Sequence, residues 1–362
     1  LQLTSLVGLN LFASMVRHHG IGPQPRCKWF LGEASDPAFL RRFGVTIRAL
    51  RVIKGLSGAT IGHIGGHAPG FDNLQFDADA LERNLGVQVE QLPLDVVLQG
   101  ARACSETEAQ EESARIAAQA SEVRCSVGDL AATGRIALAL QRVQKAHGFS
   151  ALAVRCWPEF HQALGVFPCV AYGTLNARGT VVSCEGDVMS AVSLLALSLA
   201  GDVRPTLMDM VAVLPDEDAI CFWHCGLAAW NLADPRGVRL ITRPAPRPDG
   251  SVAAVGGFAD VSFASGSATV AHIDGAGSQL LVAGAEITDR LGPGYEGSSG
   301  WLTDLWMAHQ PIQPAQFLDT VVRYGIEHHY AITPQDVTDA LLEVASWLGL
   351  HVIEPRAVYD HI

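Results

Sequence analysis

The pattern of apolar and polar positions changes character along the chain. In the first half, short apolar runs alternate with longer amphipathic stretches. Ala59–Gly65 (ATIGHIG) and Ser150–Cys156 are compact apolar runs of the kind that make buried parallel strands. Val87–Leu92 (VQVEQL) alternates with a strand's period of two. Asp77–Asn84, Glu106–Val123 and Gly128–His147 read as helices, the last with an apolar stripe of Leu130, Ile136, Leu138, Leu140 and Val143. Thr180–Cys184 (TVVSC) is strand-like and stops at Glu185-Gly186-Asp187, and an apolar helix runs from about Val188 to Leu199. Thr206–Val213 and Ala219–Cys225 (AICFWHC) are further strands. Strand, helix, strand repetition predicts an α/β layer with a parallel sheet.

From about Gly237 the texture is different. VRLITR, VAAVGGFADVSF, SATVAHID and QLLVAGAEIT are short alternating runs divided by Gly, Pro, Asp and Ser. They predict a C-terminal antiparallel β-barrel-like domain. A Gly/Ser loop spans Gly292–Trp301; Pro314–Tyr324, His329–Ile332 and Gln335–Leu348 then read as helix, strand, helix. Thr333–Asp336, with an early proline and an acid in the first turn, reads as a helix start. The expected division is an α/β domain over 46–213 and a β-rich domain with terminal helices over 214–362.

Composition narrows the class. The 362 residues are 49% hydrophobic and 17% charged, with a net charge of −12. That excludes a disordered chain and argues against a nucleic-acid partner, which would call for a basic face. The longest apolar helix candidate, Val188–Ala200, is interrupted by serines and falls short of the roughly 18 residues a membrane span needs. So few charges on so large a chain predict surface covered by homo-oligomerisation. The eight cysteines, Cys27 among them, form no CxxC pair and lie in apolar stretches, and no cationic leader opens the chain. The expectation is free buried thiols in a reducing, cytoplasmic compartment.

Candidate chemistry begins with two misplaced acids. Glu185 in VVSCEGD and Asp209 in PTLMDMVAV interrupt strongly apolar strands, where a carboxylate is costly unless paired or bound to a cation. Two parallel strands with one acid each would bring both carboxylates to one ion. The alternative is that one caps the helix at Val188 and the other pairs with an arginine such as Arg204. His328-His329 precedes the strand HHYAIT, and alternation sends one imidazole to the site and its neighbour away. Two carboxylates and an imidazole suit Mn²⁺, Mg²⁺, Co²⁺ or Fe²⁺. His224, beside Trp223 at a strand end, is placed either to contact a ligand or to rest as a satisfied core histidine. Cys221, His224 and Cys225 lack the second pair that structural zinc requires. GHIGGHAPG (62–70) fits neither G-x-G-x-x-G nor a Walker loop, although His67 or Phe71 could line a cleft. Trp301, closing the Gly/Ser loop, is a further candidate substrate contact.

Taken together, GGHAPGF (65–71), RCWPE (155–159), CEGDV (184–188), LMDM (207–210) and HHY (328–330) make the chain resemble the L-fucose isomerase and L-arabinose isomerase superfamily, in particular its fucose isomerase-like members. The resemblance runs from about residue 45 onward. It implies that Glu185, Asp209 and His329 hold a divalent metal, usually manganese, with the two carboxylates catalytic. It implies that Trp157 and Glu159 face the sugar, with His224 and His328 beside it. It also implies that residues 1–45 are a remnant of an N-terminal domain or a linking helix. The implied assembly is a homotrimer or homohexamer with active sites at subunit boundaries. The implied reaction is aldose–ketose isomerisation of an open-chain sugar through a cis-enediol. One alternative is a same-fold enzyme for a sulfonated or phosphorylated sugar, with Arg155 or Arg178 as the anion's partner. Another is a non-catalytic sugar-binding protein.

Overall fold

The computed structural model describes residues 2–19, 28–246 and 251–356; Cys27 lies outside the described residues. Residues 1–47 form one compact unit and residues 48–362 another. Helix α1 (Gln2–His18) belongs to the first unit, where Leu6, Leu11 and Phe12 are exposed. The rings of Phe30, Phe39 and Phe43 pack together there, 5.5–5.8 Å between centroids. Helix α2 covers Pro37–Leu56.

In the second unit, β1 (Thr60–Ile64) is followed by α3 (Ala78–Leu85), β2 (Gln88–Leu92), α4 (Asp95–Ala103) and α5 (Glu106–Ala117). Then come a two-residue β3 (Glu122–Val123), α6 (Val127–His147), β4 (Ala151–Val154), α7 (Glu159–Leu164), α8 (Cys169–Ala177) and β5 (Val181–Ser183). β1, β2, β4 and β5 make a four-stranded parallel sheet in the order β2-β1-β4-β5. The chain leaves β1 for β2 on one side and returns to β4 on the other. The crevice beyond the carboxyl ends of β1 and β4 is therefore a topological switch point, where open α/β sheets bind ligands. A cavity of about 750 Å³ lies there, lined by His63, Gly65, Gly66, Leu94, Arg155 and Glu159. The edge of β5 is closed by Asn176, whose side chain accepts from the Val182 N–H and donates to the Val182 carbonyl, both at 2.9 Å.

Helix α9 (Val188–Ala200) is buried on nearly every face. The reason is topological: α9 packs on β4 and β5 of the parallel sheet and on β10 (Gly266–Ile273) and β14 (His329–Thr333) of the second sheet. A helix covered on two sides can be apolar all round. Its Ser193 hydroxyl accepts the Ile273 N–H at 2.9 Å, tying α9 to β10.

The second sheet has eleven strands. Between α9 and β10 lie β6 (Thr206–Leu214), β7 (Ala219–His224), β8 (Arg239–Pro246) and β9 (Val252–Ser262). After β10 come β11 (Gln279–Thr288), β12 (Ser298–Met307), β13 (Gln310–Pro311), α10 (Pro314–Tyr324), β14, α11 (Thr338–Leu348) and β15 (His351–Val352). The order is β15-β11-β10-β14-β6-β7-β12-β9-β8-β3, with β13 on β12 and a further β11–β12 pairing. The expected antiparallel domain is thus a mixed sheet: β3–β8, β9–β12 and β11–β15 run parallel. The expected helix over Glu106–Val123 ends at Ala117 because the edge of β8 captures residues 121–124, with Ser121 N–H reaching Val238 O and Arg124 N–H reaching Leu240 O at 2.8 Å. The last helix starts at Thr338, later than the Thr333–Asp336 signal, because the Asp336 carboxylate accepts from the Thr338 N–H. β6 belongs to the mixed sheet, paired antiparallel with β14 and β7, so it is not the parallel neighbour of β5 that the two acids suggested.

Candidate metal centre

Glu185 leaves β5 in a left-handed backbone conformation, φ 61°, followed by Gly186 at φ 75°. The second position requires glycine: a Cβ there would stand 2.1 Å from the Gly66 carbonyl oxygen. Asp187 then opens α9. Its carboxylate accepts the Ser190 N–H at 3.0 Å as the helix N-cap, and also accepts the Ser190 hydroxyl. Asp187, not Glu185, is the cap of that helix.

Asp209 reaches the same place from a strand interior. On the β6–β14 ladder Asp209 lies directly opposite His329, and on the β6–β7 ladder it lies opposite Trp223. Direct partners across an antiparallel pair project to one face, so register alone brings carboxylate and imidazole together.

His329 and Asp187 are both wholly buried. His329 Nδ1 donates to the Asp187 carboxylate at 2.8 Å. With Nδ1 engaged by Asp187, Nε2 is the nitrogen that faces the other two acids, and it has no hydrogen-bond partner. Nε2 stands 3.5 Å from Glu185 Oε2 and 3.6 Å from Asp209 Oδ1, and Asp209 Oδ1 also lacks a hydrogen-bond partner. A buried nitrogen standing between two carboxylate oxygens with no hydrogen bond to either is poorly satisfied unless a cation joins it to one or both of them. Carboxylate-oriented imidazole with its second nitrogen free is the usual support of a metal-bound histidine. Ligand-capable atoms of Glu185, His328 and His329 lie within 4.8 Å of one another, as do those of Asp209, His224 and His329. The residues therefore fit the divalent ion that the family resemblance implies, and their oxygen-and-imidazole character suits Mn²⁺, Mg²⁺, Co²⁺ or Fe²⁺.

Both adjacent histidines face the centre, contrary to the alternation expected of a strand. β14 begins at His329, so His328 sits in the preceding bend; its Nε2 lies 3.3 Å from Glu185 Oε2. Asn73 holds His328 Nδ1 at 3.1 Å, and Phe71 stacks on its ring at 5.0 Å. Trp157 meets Phe71 edge-on at 6.4 Å, which builds an aromatic wall beside Glu185. His67, in the same loop, has an unpartnered Nε2.

His224 Nδ1 accepts the Cys225 N–H at 2.9 Å, its Nε2 has no hydrogen-bond partner, and its ring stacks 5.6 Å from His329. The Cys225 thiol lies 3.3 Å from the Cys169 thiol, and all seven described cysteines are free. Cys221 belongs instead to a small apolar cluster with Ala219 and Trp301. Trp301 lies on β12 opposite Cys221, three residues beyond the Ser298 that pairs with His224, and does not join the acids and histidines. Glu159 pairs with Arg155 at 2.6 Å in the switch-point cavity and keeps its other oxygen unpartnered. Arg178, the second anion candidate, is committed to the buried Glu112. Arg204 bonds Ser198 rather than Asp209.

Charge follows geometry. Burial would raise the Asp187 carboxyl, but the His329 and Ser190 hydrogen bonds outweigh it and hold the group down at about 2. Burial would likewise raise Glu185, and the hydrogen bond with His328 and the charges of the neighbouring imidazoles bring it below its ordinary value. His328 is raised: burial opposes its charge, while Glu185 and Asp209 favour it.

No family model matches the chain. Proteins described as sulfoquinovose isomerase from Priestia aryabhattai and Priestia megaterium are each 27% identical to it over 354 residues, covering 97% of this chain and 75% of the relative. A protein of the same description from Alkalicoccus urumqiensis is 27% identical over 362 residues, covering 99% and 77%. No helix among the described residues is long and apolar enough to cross a membrane.

Proposed function

We propose that the protein is a divalent-metal-dependent aldose–ketose isomerase acting on a sulfonated sugar. The observation that carries the reading is the wholly buried His329, locked by Asp187 and aiming an unpartnered nitrogen between two carboxylate oxygens. The sulfonated class follows from the relatives, whose description favours it over a plain deoxysugar or pentose.

By the resemblance Glu185, Asp209 and His329 would hold the ion, manganese in that family; here His329 is the shared member of two ligand-capable groups, one with Glu185 and His328 and the other with Asp209 and His224. Bound there, a divalent cation polarises a carbonyl and acidifies the neighbouring C–H. One carboxylate of the Glu185/Asp209 pair removes the proton from C2 of the open-chain aldose. The C2 electrons form the enediol double bond, and the same carboxylate returns the proton to C1, leaving a ketone at C2. The other carboxylate moves the hydroxyl proton from O2 to O1. His328 and Phe71 limit water beside Glu185, which favours return of the abstracted proton over its loss to solvent.

A homo-oligomer belongs to the same proposal, and the apolar side chains exposed along α1 support it. The decisive test is metal analysis combined with turnover of sulfoquinovose in D₂O. About one divalent ion per chain, and a Glu185→Gln variant that folds but exchanges no substrate C–H, uphold the reading. Full exchange by that variant sinks Glu185 as a base, and turnover by stringently metal-free protein sinks metal dependence.

A further inference from the structure

A second cation-bearing cavity opens beside the centre. It measures about 600 Å³ and is lined by Val211, Trp223, Arg243, Pro244, Tyr295 and Glu296. Its connection to the centre is direct. Trp223 is the register partner of Asp209, and its ring stacks 6.4 Å from that of His224. Asp209 is the most solvent-open of the proposed metal ligands, its side chain 25% exposed. Val211, two residues further along β6, is also exposed.

Arg243 differs from the arginines that form ion pairs. The Arg155, Arg178, Arg236, Arg239 and Arg290 side chains each meet a carboxylate. Arg243 meets none among the described residues. Its guanidinium lies over Trp223 at 5.4 Å and over Phe258 at 5.2 Å, and it donates to the Glu296 backbone carbonyl. The same carbonyl accepts the Trp223 indole N–H at 2.9 Å, so indole and guanidinium are fixed to one point. Aromatic stacking holds the guanidinium plane, and the remaining edge donors are left for a ligand.

We infer that Arg243, on its Trp223 platform, is the sulfonate-binding subsite of the substrate pocket; the inference rests on the isomerase reading above. Electrostatics decides against the rival, Arg155. Its guanidinium is paired with Glu159 at 2.6 Å, and although Arg155 Nε is without a hydrogen-bond partner, so is the second Glu159 oxygen, so an approaching anion meets a pair with little net charge. That pair suits sugar hydroxyls, which donate to Glu159 and accept from Arg155. Arg243 has no carboxylate within ion-pair distance among the described residues, and its fork can donate to two of the three oxygens of a tetrahedral sulfonate.

The test uses the metal-loaded enzyme with sulfoquinovose and with the same sugar carrying a hydroxyl in place of the sulfonate. Arg243→Gln should raise KM and the calorimetric Kd for sulfoquinovose about ten- to a hundred-fold, as loss of a charged hydrogen bond does, with kcat/KM for the hydroxyl analogue nearly unchanged. Arg243→Lys, which keeps the charge without the fork, should fall between, and it guards against a folding defect in the glutamine variant. Equal losses on both sugars, or a selective loss at Arg155→Gln in place of Arg243→Gln, overturn the assignment. Sulfoquinovose that binds through Arg243 but is not isomerised would sink the isomerase and leave the subsite standing. Isomerisation with an unchanged KM in Arg243→Gln would do the reverse.

Discussion

Glu185 and Asp209 arrive at one imidazole from opposite kinds of backbone. Glu185 leaves the parallel sheet in a left-handed turn, held by the close approach of Gly186 to the Gly66 carbonyl. Asp209 needs no special conformation, because the β6–β14 ladder sets it opposite His329. A carboxylate placed by a turn depends on a few irregular residues and stores strain. A carboxylate placed by register depends on a whole sheet and stores none. The comparison predicts that the turn side is fragile and improvable, and the ladder side neither.

The link between the two sides is the place to break it first. Asp187→Ala removes the α9 cap and leaves the buried His329 N–H unpartnered, which should cost roughly 2–4 kcal/mol in chemical denaturation and, on the proposed function, most of the metal the protein binds. The same carboxyl gives a pH signature. Its folded value of about 2 lies below the ordinary 3.8, so its stabilisation is fully present above about pH 4 and is lost as pH falls toward 2. The loss should be about 2 kcal/mol, and Asp187→Asn should abolish that segment of the pH–stability curve. Next in size, Gly186→Ala forces the added carbon away from Gly66 and should cost roughly 2 kcal/mol along with metal content, read by thermal denaturation and elemental analysis. The smallest effect has the opposite sign. Glu185→Gly should abolish turnover yet raise stability by about 1 kcal/mol, because glycine relieves the left-handed φ. Asp209→Gly, in a strand, should lower it. A stability loss in both would remove the distinction between turn and ladder.

The parallel half is readable because its signals are local. Ala59–Gly65, Ser150–Cys156 and TVVSC form β1, β4 and β5, and the helix expected from Val188 is α9. The two acids stand out because each interrupts an apolar run. Pairing is not readable in the same way. β6 and β7 form a local hairpin, Leu214 against Ala219, but nothing local adds β3 to β8 or sets Asp209 opposite His329; those pairings join residues more than a hundred apart. The role of Asp187 escapes for a related reason. The sequence pattern offers the cap at Val188 to Glu185 or Asp209, whereas Asp187 takes it and also meets His329, 142 residues away. His328 departs from expectation because strand alternation does not extend to the residue before the strand begins.

Helix α9 has a consequence for how the second unit comes apart. Strands from both sheets cover it, and the loop that starts it carries Glu185 and Asp187. Neither sheet can shed the other without laying an almost wholly greasy cylinder open to water. Melting of residues 48–362 should accordingly be a single concerted event, in which the candidate site vanishes at the same moment as the scaffold rather than fraying ahead of it.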